Sequence, residues 1–135
     1  MYKNILVPIA LDHDHSPTGA LEAVKALADD TANIILLHVF DIVPAYVASQ
    51  VPPDVRKEAR KYVLDELEAI AKTIPNATVA SDDGNAGTVI VDYAEEHDVD
   101  LIVVASHRPG MQDYFLGSTA ARVVRHAPCS VHVIR

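Results

Sequence analysis

The chain has 135 residues, half of them apolar, 5% aromatic and none Trp. That length suits one α/β domain spanning residues 1–135, and a core left to Val, Ile, Leu and Ala is the mix of a parallel sheet buried under helices. A net charge of −8, with no Lys/Arg run longer than two, excludes a grip on a DNA or RNA backbone and argues against an anionic membrane surface.

The pattern is read from the N-terminus. Residues 4–9 (NILVPI) are a continuous apolar run of the buried-strand kind. Ser16-Pro17 reads as an N-cap followed by Pro at the first helical position. Ala20, Leu21, Val24, Leu27 and Ala28 continue at helical spacing, which predicts a helix over 17–30. A second strand is predicted at 33–40 (NIILLHVF), then a long loop over 41–53 carrying Pro44, Pro52 and Pro53. A helix over 53–74 follows, with Val55, Tyr62, Val63, Leu67, Ile70 and Ala71 as its buried stripe. Pro75-Asn76 stops it. A short third strand at 77–81 leads to the turn signal Asp83-Gly84-Asn85 and a helix over 87–97. The fourth strand, 100–105 (DLIVVA), precedes an irregular stretch over 106–116, a helix over 118–126 and a fifth strand over 130–134.

Such strand–helix alternation builds a parallel sheet covered on both faces, with right-handed crossovers. For five strands the common doubly wound solution has the order 3-2-1-4-5, and ligands bind beyond the carboxyl ends of the strands where the winding reverses. That crevice lies between strands 1 and 4, bounded by residues 10–16 and 106–117. The single cysteine, Cys129, cannot form an intrachain disulfide and suits a reducing compartment. The run Met1–Pro8 reads as a strand rather than a leader, and no apolar stretch reaches the ~20 residues of a membrane span. The expectation is a cytoplasmic protein.

The crevice loops hold the chemistry. Gly117-Ser118-Thr119 opens a helix, whose unpaired N–H groups and positive dipole end suit an anion. Gly117 permits close backbone approach, Ser118 and Thr119 add hydroxyls, Arg108 a charged fork and His107 a ring. The plain alternative is an ordinary N-cap beside a surface loop. Asp12-His13-Asp14-His15 invites a metal reading, but neighbouring loop residues rarely converge, and no distant Cys/His partners accompany them. Asp12 or Asp14 could instead meet Mg²⁺ brought by a nucleotide. Gly84 fits either a turn or close access to a ribose. Cys129 reads as a small packed residue with no base beside it. The last strand, Ser130–Ile134, is a β-branched edge without Pro or Lys, which invites pairing with a second copy.

Three stretches carry a resemblance. Val7-Pro8-Ile9, Leu37-His38-Val39 and above all Leu116-Gly117-Ser118-Thr119-Ala120 through Val124-Arg125-His126-Ala127-Pro128-Cys129-Ser130-Val131-His132-Val133 resemble the universal stress protein family. The resemblance implies the 3-2-1-4-5 sheet, ATP or AMP at the switch point, and a homodimer through the last strand. It places the nucleotide against Pro8, Ile9, Ala10, Asp12, Val39, Gly84, Val104, Ala105, Ser106, His107, Arg108, Gly117, Ser118 and Thr119, with the Val39 backbone pairing adenine. ATP-binding members carry Gly-x-x-Gly, nine residues, then Gly-Ser or Gly-Thr. Here Ala105 and Arg108 stand in the paired-glycine positions, eight residues separate Arg108 from Gly117, and Ala10 stands where relatives usually have Asp. The expected function is a regulatory adenine-nucleotide binder with an unknown protein partner. The alternatives are a nucleotide-independent dimeric adaptor and an enzyme such as an adenylating ligase. The last needs a glycine-rich loop after strand 1, and Ala10–Ser16 has no glycine, so no catalytic residue is assigned.

Overall fold

The computed structural model describes residues 1–11, 17–106 and 116–135. Five parallel strands, β1 (Tyr2–Pro8), β2 (Ala28–Phe40), β3 (Ala77–Asp83), β4 (Leu101–Ala105) and β5 (Ser130–Ile134), form one sheet in the order β3-β2-β1-β4-β5. The helices are α1 (Thr18–Leu27), α2 (Ala45–Ala48), α3 (Pro53–Ala71), α4 (Ala86–Glu96) and α5 (Ser118–His126).

Strand periodicity divides the core in two. Along β1, Ile5 and Val7 face one layer and Leu6 the other. The first layer joins them to Val24 of α1, Leu67 and Ala71 of α3, Ile34 and Leu36 of β2, and Val103 of β4. The second joins Leu6 to Leu37, Ile90 and Ala94 of α4, Ile102 and Val104 of β4, and Ala120 and Val123 of α5. Strands buried on both faces account for the unbroken apolar runs in β1, β2 and β4.

Three expectations needed correction. The first helix stops at Leu27, not residue 30, and Ala28 already pairs with Tyr2. The register then jumps, so that Asn33 faces Asn4. The Asp29 carboxylate accepts from Thr31 N (3.0 Å) and Thr31 Oγ1 (3.2 Å). This local turn competes with helix continuation, and two successive carboxylates, Asp29 and Asp30, oppose the negative helix end. The hydrogen bonds from Thr31, backbone first, hold the Asp29 carboxyl below its ordinary pKa.

The predicted loop over 41–53 contains α2, a single turn entered through Pro44. In α3 the stripe was placed wrongly at its start. Val55 is 53% exposed and Tyr62 66% exposed, while burial falls on Leu67, Ala71 and, past the helix, Ile74. Arg60 explains the boundary. Its guanidinium lies 4.4 Å from the Phe40 ring centre and 2.8 Å from Asp83 Oδ1, at the ends of β2 and β3. Turns of α3 before Arg60 therefore project past the carboxyl edge of the sheet, where nothing covers them among the described residues.

At the opposite edge, the Asp100 carboxylate accepts from the backbone N–H groups of Lys3 and Asn4, both at 2.9 Å. It ties the entrance of β4 to the entrance of β1.

Candidate functional site

β1 is flanked by β2 on one side and β4 on the other, so the winding reverses beside it. At the carboxyl ends of these strands lies a cavity of about 500 Å³, within the range of small-molecule sites. Pro8, Ile9, Ala10 and Leu11 leave β1 along one wall. Leu37–Asp41 close β2 along another, Val104, Ala105 and Ser106 end β4, and Gly117–Ala120 open α5. Ala86 and Ile90 of α4 contribute apolar surface.

The start of α5 is built to present donors. Gly117 is the N-cap residue, at φ −61° and ψ 157°, and no side chain caps the helix. Its own N–H donates to Ser106 O at 2.6 Å, and its carbonyl accepts from Ala121 N at 2.8 Å. The next three amides, of Ser118, Thr119 and Ala120, have no carbonyl within the helix to reach. Ser106 is buried and its N–H donates to Ile134 O at 2.7 Å, so the end of β4 is fixed to β5 as well as to Gly117.

The end of β2 offers a second set of backbone groups. Ile9 N–H donates to Leu37 O at 2.8 Å, whereas Phe40 O accepts from Gly84 N on the β3 side at 2.9 Å. Backbone groups alternate between the two sides of a strand, so Val39, like Leu37, directs its N–H and C=O toward β1. The β1–β2 ladder has ended two residues earlier, at Pro8–Leu37. Val39 thus presents an adjacent donor and acceptor along the cavity wall.

His38 stiffens this wall. Its Nδ1–H donates to Ile9 O at 2.8 Å, and its ring meets Phe40 edge-on at 4.6 Å. The carbonyl partner places the proton on Nδ1.

Of the residues expected at the site, Pro8, Ile9, Ala10, Val39, Val104, Ala105, Ser106, Gly117, Ser118 and Thr119 line this cavity. Asp12, His107 and Arg108 lie outside the described residues. Gly84 is not in the lining; it is a turn glycine at φ +142°, and a Cβ there would stand 3.0 Å from Val89 Cγ2. Sequence reasoning passed over Leu37, Phe40, Asp41, Ala86 and Ile90. The apolar side chains of Leu37, Phe40, Ala86 and Ile90 looked like core alone, Asp41 like an ordinary loop carboxylate, and only the topology brings α4 to this end of the sheet. Cys129 is half-buried, and burial first, then the Asp100 charge, pushes its thiol above the ordinary pKa. That is the opposite of what a nucleophile requires.

The universal stress protein family model matches residues 1–135. The chain belongs to the universal stress protein family. A universal stress protein of Methanothermobacter thermautotrophicus is 31% identical, the match covering 100% of this chain and 97% of the relative. The structure of the universal stress protein UspA from Lactobacillus plantarum superposes with a TM-score of 0.81 at 29% identity, over 99% of this chain and 98% of that one. A more distant universal stress protein, from Archaeoglobus fulgidus and solved in complex with dAMP, shares the fold with a TM-score of 0.66 at 19% identity, over 99% and 98% of the two chains. As a family member the chain is one of the stress-response proteins, and no described helix is long and apolar enough to cross a membrane.

Proposed function

We propose that this universal stress protein is a cytoplasmic regulator that binds an adenine nucleotide, ATP or AMP, at the switch point between β1 and β4. The observation that carries this reading is the pairing of two backbone surfaces across one cavity. Val39 offers an adjacent N–H and C=O, the complement of the N1 acceptor and N6 donor of adenine. The uncapped amides of Ser118, Thr119 and Ala120 offer a phosphate its donors at the positive end of α5. Leu37, Ile90 and Val104 supply apolar contact between them. The dAMP complex of the Archaeoglobus fulgidus relative supports the ligand class.

Bound Mg²⁺ would supply charge neutralisation of a polyphosphate, with Asp12 or Asp14, which lie outside the described residues, as its carboxylate donors. No catalytic residue is assigned: among the described residues of the cavity wall the only imidazole is His38, whose Nδ1 is committed to Ile9. The chain acts by changing state with its ligand rather than by turning a substrate over. We further propose a homodimer through β5, the sheet edge, as the form that reaches a protein partner.

Heat release of small molecules from freshly purified protein, identified by mass, tests the ligand class. Adenine nucleotide should be recovered, and calorimetry with Mg-ATP should give a micromolar Kd, about −8 kcal/mol. Protein that releases nothing and shows no heat with ATP or AMP favours the nucleotide-independent adaptor.

A further inference from the structure

Beside the cavity runs a second recess of about 360 Å³, between the start of α4 and the outer face of α5. Asn85, Ser118, Thr119, Arg122, Arg125 and His126 line it, and among the described residues no carboxylate does. In a chain of net charge −8, a recess lined by two guanidiniums and no acid is a marked reversal of sign. Helical spacing creates it: positions 118, 122 and 125 fall on one stripe of α5, so the hydroxyl and both guanidiniums line up from the positive helix end.

Arg122 is seated rather than loose. Gly87 of α4 is buried, and a Cβ there would stand 2.9 Å from Arg122 Cδ and 3.0 Å from Arg122 Cβ. The arginine stem lies across this glycine and holds the guanidinium over the recess. Neither Arg122 nor Arg125 has an ion-pair partner among the described residues. Two guanidiniums one turn apart on α5, without an ion-pair partner among the described residues, suit the oxygens of a phosphate group. Ser118 and Thr119 line both recesses, so the second continues from the first around the opening turn of α5.

We propose that Arg122 and Arg125 form a phosphate site distinct from the helix-start amides, reached past Ser118 and Thr119. Its phosphate is either the outer phosphate of a polyphosphate nucleotide seated in the neighbouring cavity or a free phosphate ion. The first source rests on the function proposed above; the second does not. A nucleotide with one phosphate ends at the helix start, whereas one with three extends to the arginines. The site therefore discriminates ATP from AMP, which the cavity alone cannot do.

The test follows the Arg122 and Arg125 Nε–Hε signals by NMR while inorganic phosphate, AMP or ATP is added, and measures each Kd in wild type and in Arg122→Gln/Arg125→Gln. Both side chains are exposed, so the double variant keeps the fold. ATP that shifts both signals and binds roughly 10–100-fold more weakly to the double variant, with AMP changed less than twofold, establishes the nucleotide as the source. Inorganic phosphate that shifts both signals in protein indifferent to ATP establishes a free-phosphate site and sinks the nucleotide reading instead. ATP binding that leaves both signals and the variant's affinity unmoved, with no response to phosphate, overturns the proposal while leaving the nucleotide cavity intact.

Discussion

Gly84 and Gly117 look alike in the sequence and part company in the structure. Gly84 sits at φ +142° with Val89 Cγ2 3.0 Å from the place of a Cβ, whereas Gly117 sits at φ −61° and ψ 157°, a backbone conformation that any residue adopts. Gly84→Ala should therefore cost about 1–3 kcal/mol in urea unfolding and leave ATP affinity within twofold. Gly117→Val should do the reverse, keeping stability while its branched side chain blocks the approach of phosphate. Equal stability losses with unchanged ATP binding in both would remove Gly117 from the site. At this scale the sequence was legible where a residue has one local job, as with Gly117-Ser118-Thr119 opening a helix. It was illegible where the job is set by a distant neighbour. Asp41 and Ile90 reach the cavity only through the packing of β2 and α4, and no local pattern marks them. Cys129 follows from burial alone: its thiol holds its proton more tightly in the fold than in the unfolded chain. Its contribution to stability is thus present below the ordinary thiol pKa and declines as pH rises through it. Reaction with a disulfide reagent at pH 8 should be slow in native protein and fast once urea is added; a rate equal to that of free cysteine would contradict it.

Among the elements, α3 shows what periodicity can and cannot say. The 3.6-residue pattern located the helix and its inner face correctly from Val63 onward. It could not show where the sheet beneath the helix ends, so Val55 was assigned to a core that does not extend to it, and it put Tyr62 inward beside Val63 although Tyr62 lies on the exposed face. Leu67→Ala should cost roughly 2–5 kcal/mol, since Leu67 is fully buried. Val55→Ala and Tyr62→Ala should each stay within about 0.5 kcal/mol. Chemical denaturation of the three variants decides between the two placements of the stripe. The boundary of α1 was missed for a related reason. Asp29 hydrogen-bonds Thr31 two residues on, a local stop signal in Asp29-Asp30-Thr31 that the apolar spacing overrode, and the freed segment found a strand partner at Tyr2, which no local pattern marks.

For the molecule as a whole, strand order followed from alternation and length, and the observed β3-β2-β1-β4-β5 agrees with it. That order leaves β5 at an edge, with Val131 and Val133 half-buried toward α5 and His132 exposed on the other face. Light scattering at tens of micromolar protein should give the mass of two chains. Val133→Pro, which removes one edge donor, should shift the mass toward one chain. A wild-type mass of one chain would remove the dimer.

The Asp100 clamp on Lys3 and Asn4 also sets a timetable. The central strand β1 is synthesised well before β4, the flanking strand that starts only at Leu101. At ribosomal speeds of about 5–20 residues per second, β1 waits roughly 5–20 s for that neighbour. During that interval its apolar run, Ile5–Val7, is bordered on one side only, by β2. The Asp100 carboxylate then meets the Lys3 and Asn4 amides at the entrance of β1, and β4 lies beside that strand. A chain that stops before residue 100 leaves one side of β1 bare, and only one that extends through β4, to Ala105, borders that strand on both sides.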